Sequence, residues 1–346
     1  MRARRVLPFA LPDITSYAHL SYFLSVMHTD SDTLKWVYSN FVQLRMSADL
    51  FIDYFTPQPE NDVIPCLHGS QRIERRTVNH FSPDIIDFIR FQIDNGYYFW
   101  TYVNDYYVPE TLAYRNHSYT HALMVYGYDD IERVFYISGF FADQRYGTRT
   151  IPYELMEKAF AETEFDPNEP AQELVYLIKI HELRKNQTDF RLRWVMDQLE
   201  DFLQSKDSSE RLGASQINSG IRWVYGMNIY DELRRRIRAD LQEGKRLVLD
   251  PRPYYIIWEH KKLMNRRLAY MREQGHFQFS DEVRDGYLAA ENLALTIRNM
   301  KIKFMITSHD KWLRQIDHRL EQLKLLERNL IAAMLEQYCN DANRCP

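Results

Sequence analysis

GYYFWTYVNDYYVPETLAYRNHSYTHALMVYGYDDIERVFY, residues 96–136, decides how the rest of the chain is read. Residues 97–104 and 121–128 alternate apolar or aromatic positions with others, the period of a strand. Gly127-Tyr128-Asp129-Asp130 supplies turn residues, and 133–140 continues as a further strand. His121 opens the second run, so a titratable imidazole stands at the start of a hairpin strand.

Working outward, the flanks predict helices and one more strand. Asp13 is placed to cap a helix whose apolar face uses Ile14, Tyr17, Leu20, Leu24 and Met27. A second helix is predicted over 31–44, and 50–55 reads as extended. Ser82-Pro83-Asp84 reads as a helix start, with a capping serine, proline at the first helical position and an acid in the first turn. That helix carries Ile85, Ile86, Phe88, Ile89 and Ile93 and stops at Asn95-Gly96. Ile151-Pro152 leads into a helix through Ala161, 164–170 is a loop, and 173–180 is a strand.

After about Asn186 the texture changes. Residues 190–338 are helical almost throughout, with breaks near 205–213, 244–253 and 275–280. Met196, Leu199 and Leu203 form one stripe, and Trp223, Met227, Tyr230 and Leu233 another. Leu313, Ile316, Leu320, Leu323, Leu326, Leu330 and Met334 form a long heptad-like seam. The expected class is α+β, with an α/β domain over 1–185 followed by an all-α helical bundle over 186–346.

Bulk properties narrow the function classes. The chain has 346 residues, enough for two cores, and a net charge of −4, which gives no footprint for nucleic acid. No apolar run reaches the length of a membrane span, and neither a signal peptide nor a membrane partner is predicted. Three cysteines, Cys66, Cys339 and Cys345, make no disulfide framework, so a reducing cytoplasm is the expected setting. No nucleotide-binding glycine motif occurs, and the histidines show no ligand spacing, so no cofactor and no metal are expected. The basic run Arg234-Arg235-Arg236 with Arg238 reads as a solvated helix face balanced by Asp231, Glu232 and Asp240, with docking to an acidic partner as the alternative.

The order of these elements, with GYYFWTYVNDYYVP, the His121 strand, GYDD and FYISGF, resembles a papain-like family over about residues 13–180. It is similar to the N-terminal domain of butirosin-biosynthesis protein H and, more distantly, to bacteriocin-processing cysteine peptidases. YGMNIYDEL (225–233) and EHKKLMNRR (259–267) are similar to the helical tails of such proteins. The resemblance implies an accessory protein of bacterial nonribosomal peptide and polyketide assembly lines. It would handle a small-molecule or peptide acyl group held on an acyl or peptidyl carrier protein. His121 matches the general base, and the cleft wall would include Tyr17, His19, Tyr102 and Tyr107.

Two further parts of that machinery are absent from their positions. The nucleophilic cysteine falls in Ser16-Tyr17-Ala18-His19, where there is none. The orienting acid falls near Ser138-Gly139, which has no carboxylate, although Asp129, Asp130 and Asp143 are near in sequence. Nor does a glutamine stand just upstream of Tyr17 as an oxyanion donor. Cys66, two residues before His68, and Ser16, Ser21 and Ser25 are the substitutes to weigh. A lone cysteine is more often an inert small hydrophobe. Two expectations follow: an acyl-transfer enzyme in which His121 activates the substrate's own nucleophile, or an inactive relative that binds through the old cleft.

Overall fold

The computed structural model describes residues 3–56, 64–67, 69–185, 189–212, 222–244 and 250–341. His68 and Cys345 lie outside the described residues. In chain order, β1 (Arg4–Val6) precedes α1 (Ala18–Met27), α2 (Ser31–Asn40), β2 (Leu44–Met46) and β3 (Ile52–Tyr54). Then come β4 (Gln71–Glu74), α3 (Arg75–Phe81), α4 (Ile85–Asp94), β5 (Tyr98–Asn104), β6 (Thr120–Asp129) and β7 (Val134–Phe140). β8 (Tyr146–Pro152), α5 (Tyr153–Ala161) and β9 (Leu174–Ile178) follow. The remainder is α6 (Leu192–Gln204), β10 (Val224–Tyr225), α7 (Asn228–Glu243), α8 (Arg252–Glu273), α9 (Asp281–Thr307) and α10 (Asp310–Asn340).

The class is mixed α+β. Two compact units form: Met1–Leu34 with Glu60–Asp189, and Lys35–Pro59 with Phe190–Pro346. A single cut at 185/186 would leave residues 35–59 in the first part. They join the helical unit because β2 pairs with β3 on one side and β10 on the other. That tie is a tertiary pairing between distant segments, which no local pattern reveals.

The first unit is built on an antiparallel sheet of order β4-β9-β5-β6-β7-β8, with β1 added on β6. β5 and β6 pair from Phe99↔Val125 to Asn104↔Thr120, so the two aromatic runs are neighbouring strands as their alternation predicts. Phe99, Val103, Val125, Phe135 and Ile137 are fully buried with Ile89, Ile93 and Met156 of the covering helices. β1 and β4 are short and largely exposed, and β8 carries the polar run Thr148-Arg149-Thr150, so none of the three shows a strand's alternation in the sequence.

Several helix boundaries differ from expectation. Asp84, not Ser82, caps α4: its carboxylate accepts from the Ile86 and Asp87 N–H groups at 2.9 and 3.1 Å. Asp84 directly precedes the first helical residue, where a short side chain reaches those orphan donors. α1 starts five residues after Asp13, with Tyr17 in the capping position. Asp13 instead lies 3.6 Å from His28 Nε2. α2 ends at Asn40, short of the predicted 44, because Leu44 pairs with Tyr54 in the β2–β3 ladder.

The second unit packs α9 against α8 and α10, and α10 against α6 and α7. Gly286 in α9 allows a close approach, since a Cβ there would fall 2.3 Å from Leu330 Cδ2 of α10. The seam of α10 departs from its apolar reading at one turn. Leu326 is half-buried, and Glu327 is fully buried in its place. Glu327 accepts from Tyr230 Oη at 2.6 Å and from Lys261 Nζ, which also lies 2.9 Å from His260 Nδ1. His260 Nε2 in turn reaches the Val42 carbonyl at 2.7 Å. With Nε2–H donating there, the ring is neutral and Nδ1 accepts from the ammonium. The two motifs at 225–233 and 259–267 thus meet on one buried carboxylate.

Candidate functional site

His121 lies one residue inside the end of the β5–β6 ladder, opposite Val103. Its ring stacks on Tyr119 at 5.8 Å and meets the edge of Phe140 at 5.8 Å. The side chain is 27% exposed.

The carboxylate beside it is Asp105, whose Oδ2 lies 3.8 Å from His121 Nδ1. Asp105 follows the last residue of β5 directly, and its N–H donates to the Tyr119 carbonyl at 2.8 Å. Asn104 locks this corner. Its side-chain oxygen accepts from the Tyr106 and Tyr119 N–H groups, and its amide donates to Ser118 Oγ and the Glu162 carbonyl. The connecting loop holds Glu110 and Arg115 in the left-handed region, at φ 62° and 53°. Each non-glycine residue there costs roughly 1–2 kcal/mol. Ala142 N–H to Glu110 O and Arg115 N–H to Tyr106 O, at 2.7 and 3.0 Å, offset it.

Burial governs the electrostatics of this pair. Desolvation pushes the Asp105 carboxyl up to about 7. The shift is in the carboxyl, and an imidazole 3.8 Å away is close enough to feel its charge. The separation of 3.8 Å exceeds a direct hydrogen bond.

α1 approaches this corner with its N-terminus. Tyr22 Oη donates to the Ala122 carbonyl, and one turn later Ser25 Oγ meets Tyr146 Oη at 2.9 Å. Tyr146 also bonds Ser138, which pairs with Met124. Moving along α1 therefore moves along β6 from Ala122 toward Met124, so the first turn of α1 faces the His121 end. Tyr17 and His19 stand at that turn, with rings 5.6 Å apart, Tyr17 buried and His19 exposed.

The other expected cleft residues separate. Tyr102 is half-buried on β5 opposite Ala122, and burial pushes its phenol up. Tyr107 bonds the Glu162 carboxylate, and that bond raises its phenol in turn. None of the aspartates near in sequence serves His121. Asp129 Oδ1 accepts from the Ile131 and Glu132 N–H groups at the far end of β6. Asp130 binds Arg90 and Tyr153, and Asp143 accepts from the Arg145 N–H.

Ser21 and Ser25 are engaged within α1, and Cys66 is shut away from solvent. Ser21 Oγ donates to the Tyr17 carbonyl at 2.8 Å, and Ser25 Oγ donates to the Ser21 carbonyl at 2.7 Å. Cys66 is fully buried, and desolvation pushes its thiol up to about 12, leaving almost no thiolate at neutral pH. Among the described residues, no group of three or more His, Cys, Asp or Glu side chains could hold a metal ion. Nor is any helix among them long and apolar enough to cross a membrane.

A groove of about 350 Å³ runs along α7, lined by Asp231, Arg234, Arg235, Arg238, Ala239 and Gln242. Its arginines are neutralised: Arg235 by Glu232, Arg234 by Asp317 and Glu321, and Arg238 by Asp317. Arg236 also binds Glu232. The basic run is a balanced helix face. No protein-family model matches the chain, and no curated protein matches its sequence.

Proposed function

We propose that this protein transfers or releases an acyl group held as a thioester on an acyl or peptidyl carrier protein, with His121 as general base. The observation that carries the reading is the buried Asp105 carboxylate 3.8 Å from His121 Nδ1. It supplies the orienting acid that the hairpin otherwise lacks. An incoming amine or alcohol gives its proton to the imidazole as it attacks the thioester carbonyl. Asp105 steadies the imidazolium that forms. Collapse of the tetrahedral intermediate breaks the C–S bond, and the imidazolium returns the proton to the departing thiolate. The products are an amide or ester and the free carrier thiol. Substrate positioning and one base suffice for this route, so no cysteine is required.

The placement of the first turn of α1 at the His121 end supports a papain-like relationship. The sequence resemblance supports a setting in bacterial specialised-metabolite biosynthesis in the cytoplasm. A second reading, an inactive relative that binds the carrier or its product, is favoured by the lack of a thiol in Ser16-Tyr17-Ala18-His19. The deciding experiment follows acyl loss from an acyl-carrier thioester by mass spectrometry. His121→Ala is expected to lower turnover roughly 10²–10⁴-fold with carrier binding retained. Turnover equal to wild type in that variant sinks the general-base reading. A wild-type protein that binds the carrier and turns nothing over establishes the second reading.

A further inference from the structure

β6 is supported unequally around His121. Against β5 its ladder continues to Asn104↔Thr120, whereas against β7 it ends at Met124↔Ser138. Among the described residues, the stretch that carries His121 thus has a strand on one side only. On the other side, the Ala122 carbonyl accepts a hydrogen bond from Tyr22 Oη of α1.

Tyr22 is fully buried, its ring 5.4 Å from Trp100 and 5.7 Å from Tyr146. Gly139 leaves room for the phenol: a Cβ there would lie 3.2 Å from Leu123 Cδ1 and 3.8 Å from the Tyr22 oxygen. Burial pushes the phenol well up, and the nearby Tyr146 and Asp105 add to it, so it stays a protonated donor. Ser25 and Ser138 hold Tyr146 one turn further along, tying α1 to β7 independently.

We propose that Tyr22 is a positioning residue for the Asp105–His121 pair. By engaging the Ala122 carbonyl where β7 no longer pairs, it holds the start of β6 so that the imidazole stays beside the carboxylate. An unmade bond would leave a buried carbonyl without its donor, and the adjacent residue would be first to shift. The inference rests on His121 as the working base, but its test is read on the imidazole and needs no substrate.

Nitrogen NMR of His121 through a pH titration reports the midpoint and tautomer of the ring. Tyr22→Phe removes one oxygen and keeps the ring; the His121 midpoint is expected to move by ~0.5 pH unit or more. Tyr146→Phe removes a comparable buried hydroxyl that bonds Ser25 and Ser138 instead, and its His121 curve is expected to overlay wild type. Fluorotyrosine at position 22, a stronger donor, is expected to displace the midpoint in the opposite sense. It decides alone if Tyr22→Phe does not fold. The proposal is overturned if the Tyr22 variants leave the curve on wild type, or if Tyr146→Phe moves it as far. Loss of the general-base reading would show separately, as unchanged turnover in His121→Ala.

Discussion

Asp105 illustrates how much of a site a single residue's surroundings decide. Its neighbour Asn104 ends a strand whose alternation is plain, and the paired run begins opposite it at Thr120. The register alone places Asp105 next to Tyr119 and within reach of His121. The family resemblance places an orienting acid on the following strand, near Ser138-Gly139, whereas the carboxylate beside His121 comes from the end of the preceding one. Its titration gives a stability test. The folded carboxyl holds its proton up to about 7, against an ordinary value near 3.8. Folded protein therefore binds that proton more tightly than unfolded chain. The group's effect on stability is neutral below about pH 4, and stability declines as pH rises through about 7. The full penalty above that range is on the order of 4 kcal/mol. Asp105→Asn is expected to remove this slope, unfolding later than wild type at about pH 8 in a thermal melt, while turnover falls. An Asn variant with the same pH slope as wild type would show that Asp105 is not the titrating group.

Elements were legible where one period dominated, and misread where a buried charge occupied an apolar position. In α10 the heptad through Leu313, Ile316, Leu320 and Leu323 falls next on position 327, which is a buried glutamate, whereas the apolar pattern alone points to its half-buried neighbour Leu326. In α8, His260, Lys261 and Arg267 fall on the stripe with Ile257, Met264 and Met271, and all are buried. Lys261 and Glu327 satisfy each other, with Tyr230 and His260 as further partners. Desolvation lowers the lysine and drives His260 well below its ordinary value. Removing one member of a buried ion pair leaves the other uncompensated. Lys261→Met is expected to cost about 3–5 kcal/mol in denaturant unfolding. The double change Lys261→Met with Glu327→Leu is expected to recover the larger part, a non-additivity measurable in a double-mutant cycle. Additive losses would contradict the direct pairing.

On the scale of the whole chain, the helical unit needs a segment far from it in sequence. Arg267 Nε donates to the Tyr38 carbonyl at 2.7 Å, its other end reaches the Phe41 carbonyl, and His260 reaches Val42. These acceptors close the last turn of α2 and the bend after it, where orphan carbonyls suit a cation. A fragment of residues 190–346 is expected to lack a cooperative thermal transition by circular dichroism, because its buried Arg267 and His260 lose those carbonyls. The same fragment joined to residues 35–59 is expected to regain one. A sharp transition in the shorter fragment would show that the segment is dispensable. Periodicity and punctuation by themselves determined the α+β class, the hairpin that presents His121 and the helical character of the second half, since these depend on neighbours a few residues apart. Only the tertiary structure decided that Asp105 faces His121, that Cys66 is an inert buried thiol, and that residues 35–59 join the helical unit. Each depends on burial or pairing between distant segments, which local sequence does not encode. For the His121 hairpin, folding places beside the imidazole a carboxylate from the end of the strand before it.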